Sequence, residues 1–244
     1  MSRLLVLQHI EREGPGLFTK VAKKFGLPVF VFRLDLGDNL PQIEKEDLLL
    51  ILGGPMGLQD TNNPNYPWML TELNLIREAL DKEIRIIGVC LGAQLLAKAA
   101  GGDVTSILDS SSLKLLPEVG WGTILLERNF TKKIFKDAPM PVLDVLHWHG
   151  DRILLPSSAR LIGSSKRCKE QFFQIGNFAY GMQFHIEVDG SMVKRWVEED
   201  FEFIKLTLGP NAKQIILEQQ KSYGDNSIDK RLYILKKLFQ LIGF

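Results

Sequence analysis

Cys90 has the clearest chemical signature in this sequence. It stands between an apolar run, Ile84–Val89, and a helix-forming stretch, Leu91–Ala100, with glycines two residues before and after it, Gly88 and Gly92. A buried strand that enters a helix directly presents the residue at the turn, as in a nucleophile elbow with sulfur in place of hydroxyl. The helix N-terminus stabilises negative charge and favours the reactive thiolate. A buried structural cysteine between chance glycines is the alternative.

A glycine-rich turn follows a second apolar run. Leu48–Leu52 is typical of a strand buried on both faces, and Gly53–Gly57, with the sequence GGPMG, comes directly after it. Such a loop can point backbone N–H groups at an anion. Acyl transfer needs donors of this kind for its tetrahedral oxyanion. The loop is therefore a candidate oxyanion site, although an ordinary connecting turn can have the same composition.

His185 and Glu187 come at the end of a third apolar segment, Phe178–Phe184. Alternate residues of a strand share one face, so both side chains are expected on the same side. His185 can take the thiol proton, and Glu187 can hold the other ring nitrogen and fix the tautomer. A histidine in an apolar strand is more often a core residue. The pairing with Cys90 favours a triad, because triad members are neighbours in space rather than in sequence.

The composition excludes several classes of protein. The 244 residues are 45% hydrophobic and 24% charged, as expected for one large domain or one domain with a short appendage. A net charge of +1 argues against nucleic acid as the main partner. The sequence has neither a secretory signal nor a run of about 18 apolar residues that could span a membrane. Two cysteines make no disulfide framework, so we expect a cytoplasmic protein with reduced thiols.

The order of the elements predicts an α/β fold. Up to Ala100, apolar runs alternate with amphipathic stretches, which indicates a mostly parallel sheet flanked by helices. The predicted strands here are Leu4–Gln8, Pro28–Leu34, Asp47–Leu52 and Ile84–Val89, and the helices are Pro15–Phe25, Tyr66–Asp81 and Leu91–Ala100. Closely spaced strands then predict a small antiparallel extension: Gly122–Leu126, Val142–Leu146, Ala159–Gly163, Gln171–Ile175 and Phe178–Phe184.

The end of the sequence is predicted to be helical. Ser191–Leu206 is expected to form one helix, and residues 210–244 two more, with a break near Tyr223–Ser227. We therefore predict a catalytic domain over residues 1–190 and a helical C-terminal extension over residues 191–244, packed on the same domain.

Together, the three glycine-rich and polar segments resemble the class I, triad-type glutamine amidotransferases. The matching segments are Gly53–Gly57, Gly88–Gln94 and Gly181–Glu187. The order, spacing and strand contexts agree over roughly residues 1–190. Within the family, the chain is most similar to stand-alone proteins that resemble the glutaminase half of GMP synthase, and His147–Asp151 is typical of that group. The resemblance implies a flavodoxin-like α/β fold.

The resemblance also implies a reaction. Cys90 would attack the side-chain amide of glutamine to form a γ-glutamyl thioester, with His185 as base and Glu187 orienting it. The backbone N–H groups of Gly54 and Leu91 would be the oxyanion donors. Ile186 stands where the family usually has proline, and this change removes no catalytic group.

Further residues match the family's substrate-binding positions. Gln94 matches a residue that contacts glutamine. Backbone groups around Trp148, Gly150 and Asp151 match the segment that binds the amino-acid end of the substrate, and His149 is expected to line the same pocket.

The remaining candidates are expected to have no chemical role. Cys168 lies among charged residues and is predicted to be exposed, and His9 is predicted to be solvated. His147 and His149 share a strand face, but no third ligand stands at a suitable spacing. We therefore expect neither a metal nor a cofactor.

Three functions stay open at this point. The first is glutamine hydrolysis with release of ammonia, and the second is hydrolysis of γ-glutamyl peptides by the same triad. The third is a non-enzymatic regulatory protein that keeps the fold. The stretch 191–244 is too short for a nucleotide-binding synthetase and has no P-loop glycine pattern. An ammonia acceptor, such as a separate synthetase subunit, is expected to be another protein or absent.

Overall fold

The computed structural model describes residues 1–109, 112–135 and 141–244. Within these residues, nine strands form a large sheet and two form a small one. In chain order the strands are β1 (Leu4–Gln8), β2 (Val29–Arg33), β3 (Leu48–Ile51), β4 (Arg85–Val89), β5 (Asp103–Ser106), β6 (Glu118–Leu126), β7 (Val142–His149), β8 (Asp151–Leu154), β9 (Ala159–Ser164), β10 (Phe172–Ile175) and β11 (Ala179–Met182). The large sheet has the order β2-β1-β3-β4-β11-β10-β9-β6-β7, and β5 pairs with β8.

One half of the large sheet is parallel and positions the candidate site. β1 pairs in parallel with β2 and β3, β3 with β4, and β4 with β11. From β11 to β7 the pairs are antiparallel. The predicted α/β architecture with an antiparallel extension is thus confirmed. Since parallel strands end at one edge of a sheet, the segments after β3, β4 and β11 bring Gly53, Cys90 and His185 together.

Helices cover both faces of this sheet. They are α1 (Leu17–Lys24), α2 (Met69–Asp81), α3 (Leu91–Ala99), α4 (Arg128–Ile134), α5 (Gly190–Glu199), α6 (Phe201–Leu208), α7 (Ala212–Gln219) and α8 (Ile228–Leu241). Leu4 and Val6 of β1 pack into a core with α1, α4 and α8, whereas Leu5 and Leu7 face α2 and α3. A third cluster joins α5, α6 and α7 to β6 and β7. Among the described residues, no helix has the length and apolar character needed to cross a bilayer.

The C-terminal helix α8 is attached to the segment that follows β11. Arg231 is fully buried and donates hydrogen bonds to the backbone oxygens of Ile186 (3.0 Å) and Val188 (2.6 Å). Leu235 and Phe239 of the same helix belong to the core that contains α1. The division of the chain at residue 190 stays a prediction.

The secondary structure differs from the expectation in several places, and helix α4 (Arg128–Ile134) is one element that the sequence did not predict. The helix predicted over Ser191–Leu206 is divided into α5 and α6 at Asp200, where φ is −123°. The Asp200 carboxylate accepts a hydrogen bond from Trp148 Nε1 at 2.7 Å, and aspartate favours helix ends over helix interiors. Strands β5 and β8 are short, have few buried residues and contain no apolar run that would predict them.

Candidate active site

Cys90 lies at a sharp turn between β4 and α3, as predicted. Its backbone has φ 50° and ψ −107°, a conformation rare for a residue with a side chain. The flanking glycines are sterically required. A Cβ on Gly92 would overlap the carbonyl oxygen of Ile51, and one on Gly88 would lie 2.5 Å from the carbonyl oxygen of Gly92. The backbone is therefore held in a strained turn by close packing of α3 on the strands.

Three groups surround the Cys90 sulfur. The backbone oxygen of Trp148 lies 3.8 Å from Sγ, and Gln183 Nε2 donates to Sγ at 3.6 Å. The imidazole of His185 is the third neighbour, since a Cβ on Gly53 would lie 3.1 Å from His185 Cε1 and 3.4 Å from Cys90 Cβ. Cys90 is 8% exposed and lines a cavity, so a small molecule can reach the sulfur.

His185 is held in place by the backbone and by a carboxylate. Its backbone N–H donates to Leu146 O at 2.8 Å, and its O accepts from Leu146 N at 3.1 Å. Its Nδ1 is 2.8 Å from Glu187 Oε1, which leaves Nε2 for Cys90. Burial lowers the pKa of the His185 imidazole, but the charge of Glu187 and the contact with Cys90 outweigh it and raise the pKa well above its ordinary value.

The cavity beside Cys90 has a volume of about 240 Å³. His185 and Glu187 are buried beneath it, 1% and 2% exposed. The remaining residues predicted to react with or bind substrate line the cavity: Gly54, Cys90, Leu91, Gln94, Trp148, His149, Gly150 and Asp151. The structure thus brings the predicted catalytic and substrate-binding residues to one place.

Two backbone N–H groups are available at this cavity. Among the described residues, those of Gly54 and Leu91 donate to no hydrogen-bond acceptor. Gly54 packs closely on Leu91, since a Cβ on Gly54 would lie 3.3 Å from Leu91 Cδ2. Gln94, one turn further along α3, donates from Nε2 to Gln183 Oε1 at 3.3 Å. Both N–H groups can therefore serve an anion bound next to the sulfur.

Glu13 places a buried carboxyl group at the site, and no pattern in the sequence predicts it. A Cβ on Gly53 would overlap Glu13 Oε2 and would lie 3.1 Å from His185 Cε1 and 3.4 Å from Cys90 Cβ. Burial raises the pKa of the Glu13 carboxyl. Its neighbour Arg12 lines the same cavity, and Arg12 Nη2 is 3.3 Å from Asp200 Oδ2. The loop after β1 carries no motif, so only the fold reveals these groups.

His9 is buried rather than solvated, and that expectation is wrong. Its Nδ1 is 3.0 Å from Gly53 O and its Nε2 is 2.9 Å from Glu72 Oε1. Both partners are acceptors, so both ring nitrogens donate. Burial lowers the pKa of His9, but the Glu72 carboxylate outweighs it, and the pKa is raised. The ring fixes the loop that begins at Gly53 to α2.

Cys168 is also buried, at 1% exposure, which corrects its predicted exposure. Its backbone N–H donates to Ser165 Oγ at 2.9 Å, and its O accepts from Ser165 N at 2.9 Å. This tight turn directs the thiol inward while the charged neighbours face out. Burial raises the pKa of Cys168 to about 12, so this thiol stays protonated and unreactive.

His147 and His149 lie on one face of β7, as predicted, and the structure adds a third polar residue to them. Glu118 of β6 pairs directly with His149. Burial lowers the pKa of His147 to about 4, so its ring is neutral. These three residues are the ones that could hold a metal ion among the residues that the structure describes.

Comparison with known proteins identifies the family. A sequence model of class-I glutamine amidotransferases matches residues 17–203, which include the three segments around Gly53, Cys90 and His185. The chain belongs to the class-I glutamine amidotransferase family. The resemblance of the sequence segments to that family is thereby confirmed.

This chain matches most of the length of one relative and only a part of another. The glutamine amidotransferase-like protein YfeJ of Salmonella typhimurium is 31% identical over 188 residues, 76% of this chain and 75% of YfeJ. The glutamine-hydrolyzing GMP synthase of Streptococcus mutans is 28% identical over 151 residues, 61% of this chain. That match spans only 28% of the GMP synthase.

Solved structures of glutamine amidotransferases share the whole fold. The enzyme from Thermotoga maritima gives a TM-score of 0.83 at 29% identity, covering 100% of this chain and 99% of that one. The enzyme from Methylobacillus flagellatus gives 0.80 at 28% identity, covering 98% and 93%. The likeness therefore includes the C-terminal helices α7 and α8, which lie beyond the family match.

Proposed function

We propose that this protein hydrolyses the side-chain amide of glutamine through a thioester on Cys90. The observation that carries this proposal is that Cys90 and His185 lie side by side next to Gly53, with His185 Nδ1 held 2.8 Å from Glu187 Oε1. A nucleophile in contact with a base, and the base oriented by a third group, is the arrangement of nucleophilic catalysis.

The acylation step follows from these positions. The Cys90 thiolate attacks the amide carbon, and the carbonyl oxygen becomes an oxyanion within reach of the N–H groups of Gly54 and Leu91. The protonated His185 then gives its proton to the amide nitrogen, and ammonia leaves as the carbon–nitrogen bond breaks. A γ-glutamyl thioester remains on the sulfur. Glu187 stabilises the imidazolium and keeps its ring oriented.

The deacylation step uses the same groups in reverse. His185, now neutral, takes a proton from water as the water oxygen attacks the thioester carbon. The second tetrahedral intermediate collapses, the carbon–sulfur bond breaks, and glutamate and the thiolate are released. The proton on His185 is then in place for the next cycle.

The size of the cavity favours glutamine over a γ-glutamyl peptide. A volume of about 240 Å³ lies below the range of about 300–1,000 Å³ that larger ligands occupy. Charged side chains of both signs, including Arg12, Asp151 and Asp200, line it. Such a lining suits the ammonium and carboxylate groups of a free amino acid, and we propose that the turn at Trp148–Asp151 binds that end of the substrate.

The fate of the ammonia is a separate part of the proposal. We infer that a synthetase subunit is the partner that receives it, because the glutamine-hydrolyzing GMP synthases are among the relatives. Affinity capture of the purified chain with candidate synthetases, with and without glutamine, tests this inference. Equal glutaminase rates with and without every captured synthetase would contradict it.

The hydrolase proposal is tested by ammonia release from glutamine. Wild-type protein should release ammonia and should be labelled at Cys90 by an electrophilic glutamine analogue, whereas Cys90→Ser should do neither. Cys168→Ser is the matched control, because its thiol is buried away from the cavity and should leave both results unchanged. Absence of both ammonia release and labelling in the wild type would overturn the proposal.

A further inference from the structure

Glu118, His147 and His149 form a buried cluster behind the turn that lines the active-site cavity. Glu118 Oε2 is 3.2 Å from His149 Nε2 and 3.6 Å from His147 Nδ1. One potential donor atom from each of the three residues lies within 4.8 Å of the others. Both histidines are 3% exposed. The sequence shows no third ligand at a suitable spacing, but the pairing of β6 with β7 brings Glu118 opposite His149 and supplies one.

The tautomer of His149 is set by the backbone. Its Nδ1 is 2.8 Å from Asp151 O, which can only accept, so Nδ1 carries the proton. In the neutral ring, Nε2 then presents a lone pair to Glu118 Oε2, which also offers only lone pairs. A backbone oxygen that orients the far nitrogen is the usual companion of a metal-ligating histidine.

The cluster contains more acceptors than protons to satisfy them. Gln171 Nε2 lies 2.6 Å from Glu118 Oε2 and 3.2 Å from His149 Nε2. It also lies 3.3 Å from Ser165 Oγ, so its two protons face three acceptors. Among the described residues, His147 Nδ1 and Gln171 Oε1 are buried without any hydrogen-bond partner. Buried polar atoms are nearly always satisfied in native proteins, so acceptors that converge in this way suit a cation.

We propose that Glu118, His147 and His149 bind one divalent transition-metal ion, of which Zn²⁺ fits best. Two imidazole nitrogens and one carboxylate oxygen form a known zinc ligand set with a fourth position for water. Tetrahedral ligands at bond lengths of about 2.0–2.2 Å stand about 3.3–3.6 Å apart. The separations of 3.2 and 3.6 Å from Glu118 Oε2 are close to that spacing. Mg²⁺ and Ca²⁺ prefer all-oxygen ligands and fit less well.

The cluster can be reached from solvent through a second cavity. Glu118 and His147 line a surface cavity together with Ser165 and Thr207, whereas His149 lines the active-site cavity. A bound ion would therefore link β6 to the end of β7, where the Trp148 oxygen lies 3.8 Å from Cys90 Sγ. Its role is to fix the position of this end of β7.

The test measures metal binding by the full chain in a form without thiols, Cys90→Ser with Cys168→Ser, because cysteines are themselves zinc ligands. The protein is first freed of metal with a chelator and then equilibrated with Zn²⁺ at micromolar free ion. We expect it to retain about one Zn²⁺ per chain. His147→Gln and Glu118→Gln in the same background should weaken binding about 100-fold or more. Co²⁺ in place of Zn²⁺ should give the visible absorption of a tetrahedral site, and both variants should lose it.

His185→Gln is the matched control, since His185 is also a buried histidine paired with a carboxylate but belongs to no three-residue metal cluster among the residues that the structure describes. It should bind zinc as the thiol-free protein does. Zinc binding that survives in His147→Gln and Glu118→Gln would overturn the proposal. So would the absence of bound zinc at micromolar free ion. A proton shared between His149 and Glu118 would then be the alternative.

If both cluster variants fail to fold, as judged by circular dichroism, the wild type decides the question alone. Anomalous diffraction at the zinc edge from zinc-soaked crystals should show a peak between the three side chains, and a map without this peak would reject the site. Because each readout is metal binding rather than catalysis, the outcome is independent of the glutaminase proposal.

Discussion

The His185 imidazole lies between a carboxylate and a thiol. Glu187 Oε1 is 2.8 Å from Nδ1, and Cys90 and the ring both lie next to Gly53. Because the pKa of His185 is raised, we expect the ring to carry a proton at neutral pH, and this is the proton that the leaving ammonia needs.

Glu187→Gln tests this coupling at the level of one residue. The amide keeps the size of the side chain but removes the charge that raises the His185 pKa, so kcat should fall about 10³–10⁴-fold. The alkaline limb of the pH–rate profile should also move to lower pH. Steady-state ammonia release across pH gives both quantities.

The matched control for this change is Glu78→Gln, because Glu78 is exposed and, within the described part of the chain, its carboxylate pairs only with Lys82, four residues later. Its rate should equal that of the wild type. An unchanged kcat in Glu187→Gln would show that Glu187 does not orient the base.

His9→Gln tests the ion pair with Glu72. The pKa of His9 in the folded protein is raised above its ordinary value of 6.5. The ion pair therefore stabilises the protein fully below pH 6.5, and this stabilisation is lost as the pH rises through the pKa of the folded protein. We expect the variant to lose about 3 kcal/mol of unfolding free energy at about pH 6, and less at about pH 9. Denaturant titrations at both pH values measure this difference.

Glu72→Gln serves as the companion to this experiment, since it removes the other half of the pair and should abolish the same pH dependence. A loss of stability in His9→Gln that is constant between the two pH values would exclude a charged His9.

At the scale of elements, the strand-to-helix turn at Cys90 depends on how closely α3 approaches β3. The Gly92 backbone lies so near Ile51 that a Cβ on it would stand 2.6 Å from the Ile51 carbonyl carbon. Gly92 N also donates to Leu52 O at 3.1 Å. Close contact, rather than helix propensity, therefore decides which residue can occupy position 92.

Gly92→Ala and Gly190→Ala separate contact from propensity, because both sites are in helices. Alanine is the better helix former, but at position 92 the overlap should destabilise the protein by about 3 kcal/mol. At position 190 the nearest atoms to a Cβ are 3.5 Å away, and the change should stay within about 0.5 kcal/mol. Equal thermal stabilities for the two variants would contradict this account.

At the scale of the whole molecule, the sheet and the C-terminal helices both support the candidate triad. Trp196 of α5 packs edge-on against His185, with ring centroids 4.7 Å apart. Arg231 of α8 holds the carbonyl groups on either side of Glu187. The helical extension is thus a direct support for the segment that carries the proposed base.

The separation in sequence between contacting residues decides which of these features the sequence predicts. The turn at Cys90 and the strand before it depend on local patterns, and the structure confirms them. Glu13, Glu118 and Arg231 depend on contacts between distant segments, which no local pattern marks. The burial of His9 belongs to the same class, because its partner Glu72 is 63 positions away.

Arg231→Met tests the support from α8. The guanidinium also donates to Gly224 O at 2.9 Å, and burial lowers its pKa only to about 10, so it is charged at neutral pH. Methionine fills much of the volume but leaves the buried carbonyl groups of Ile186 and Val188 without donors. We expect a loss of about 3 kcal/mol of unfolding free energy, measured by denaturant titration.

The same variant should also lower kcat more than it changes KM. The Ile186–Val188 backbone that carries Glu187 loses its hydrogen bonds to Arg231, whereas the lining of the active-site cavity is unchanged. Arg77→Met is the control, since Arg77 is exposed on α2 and, among the residues that the structure describes, its side chain bonds only with Asn74, at 2.8 Å. It should change neither quantity beyond about 0.5 kcal/mol or its equivalent in rate. If Arg231→Met were as stable as Arg77→Met and equally active, α8 would have no part in holding the site.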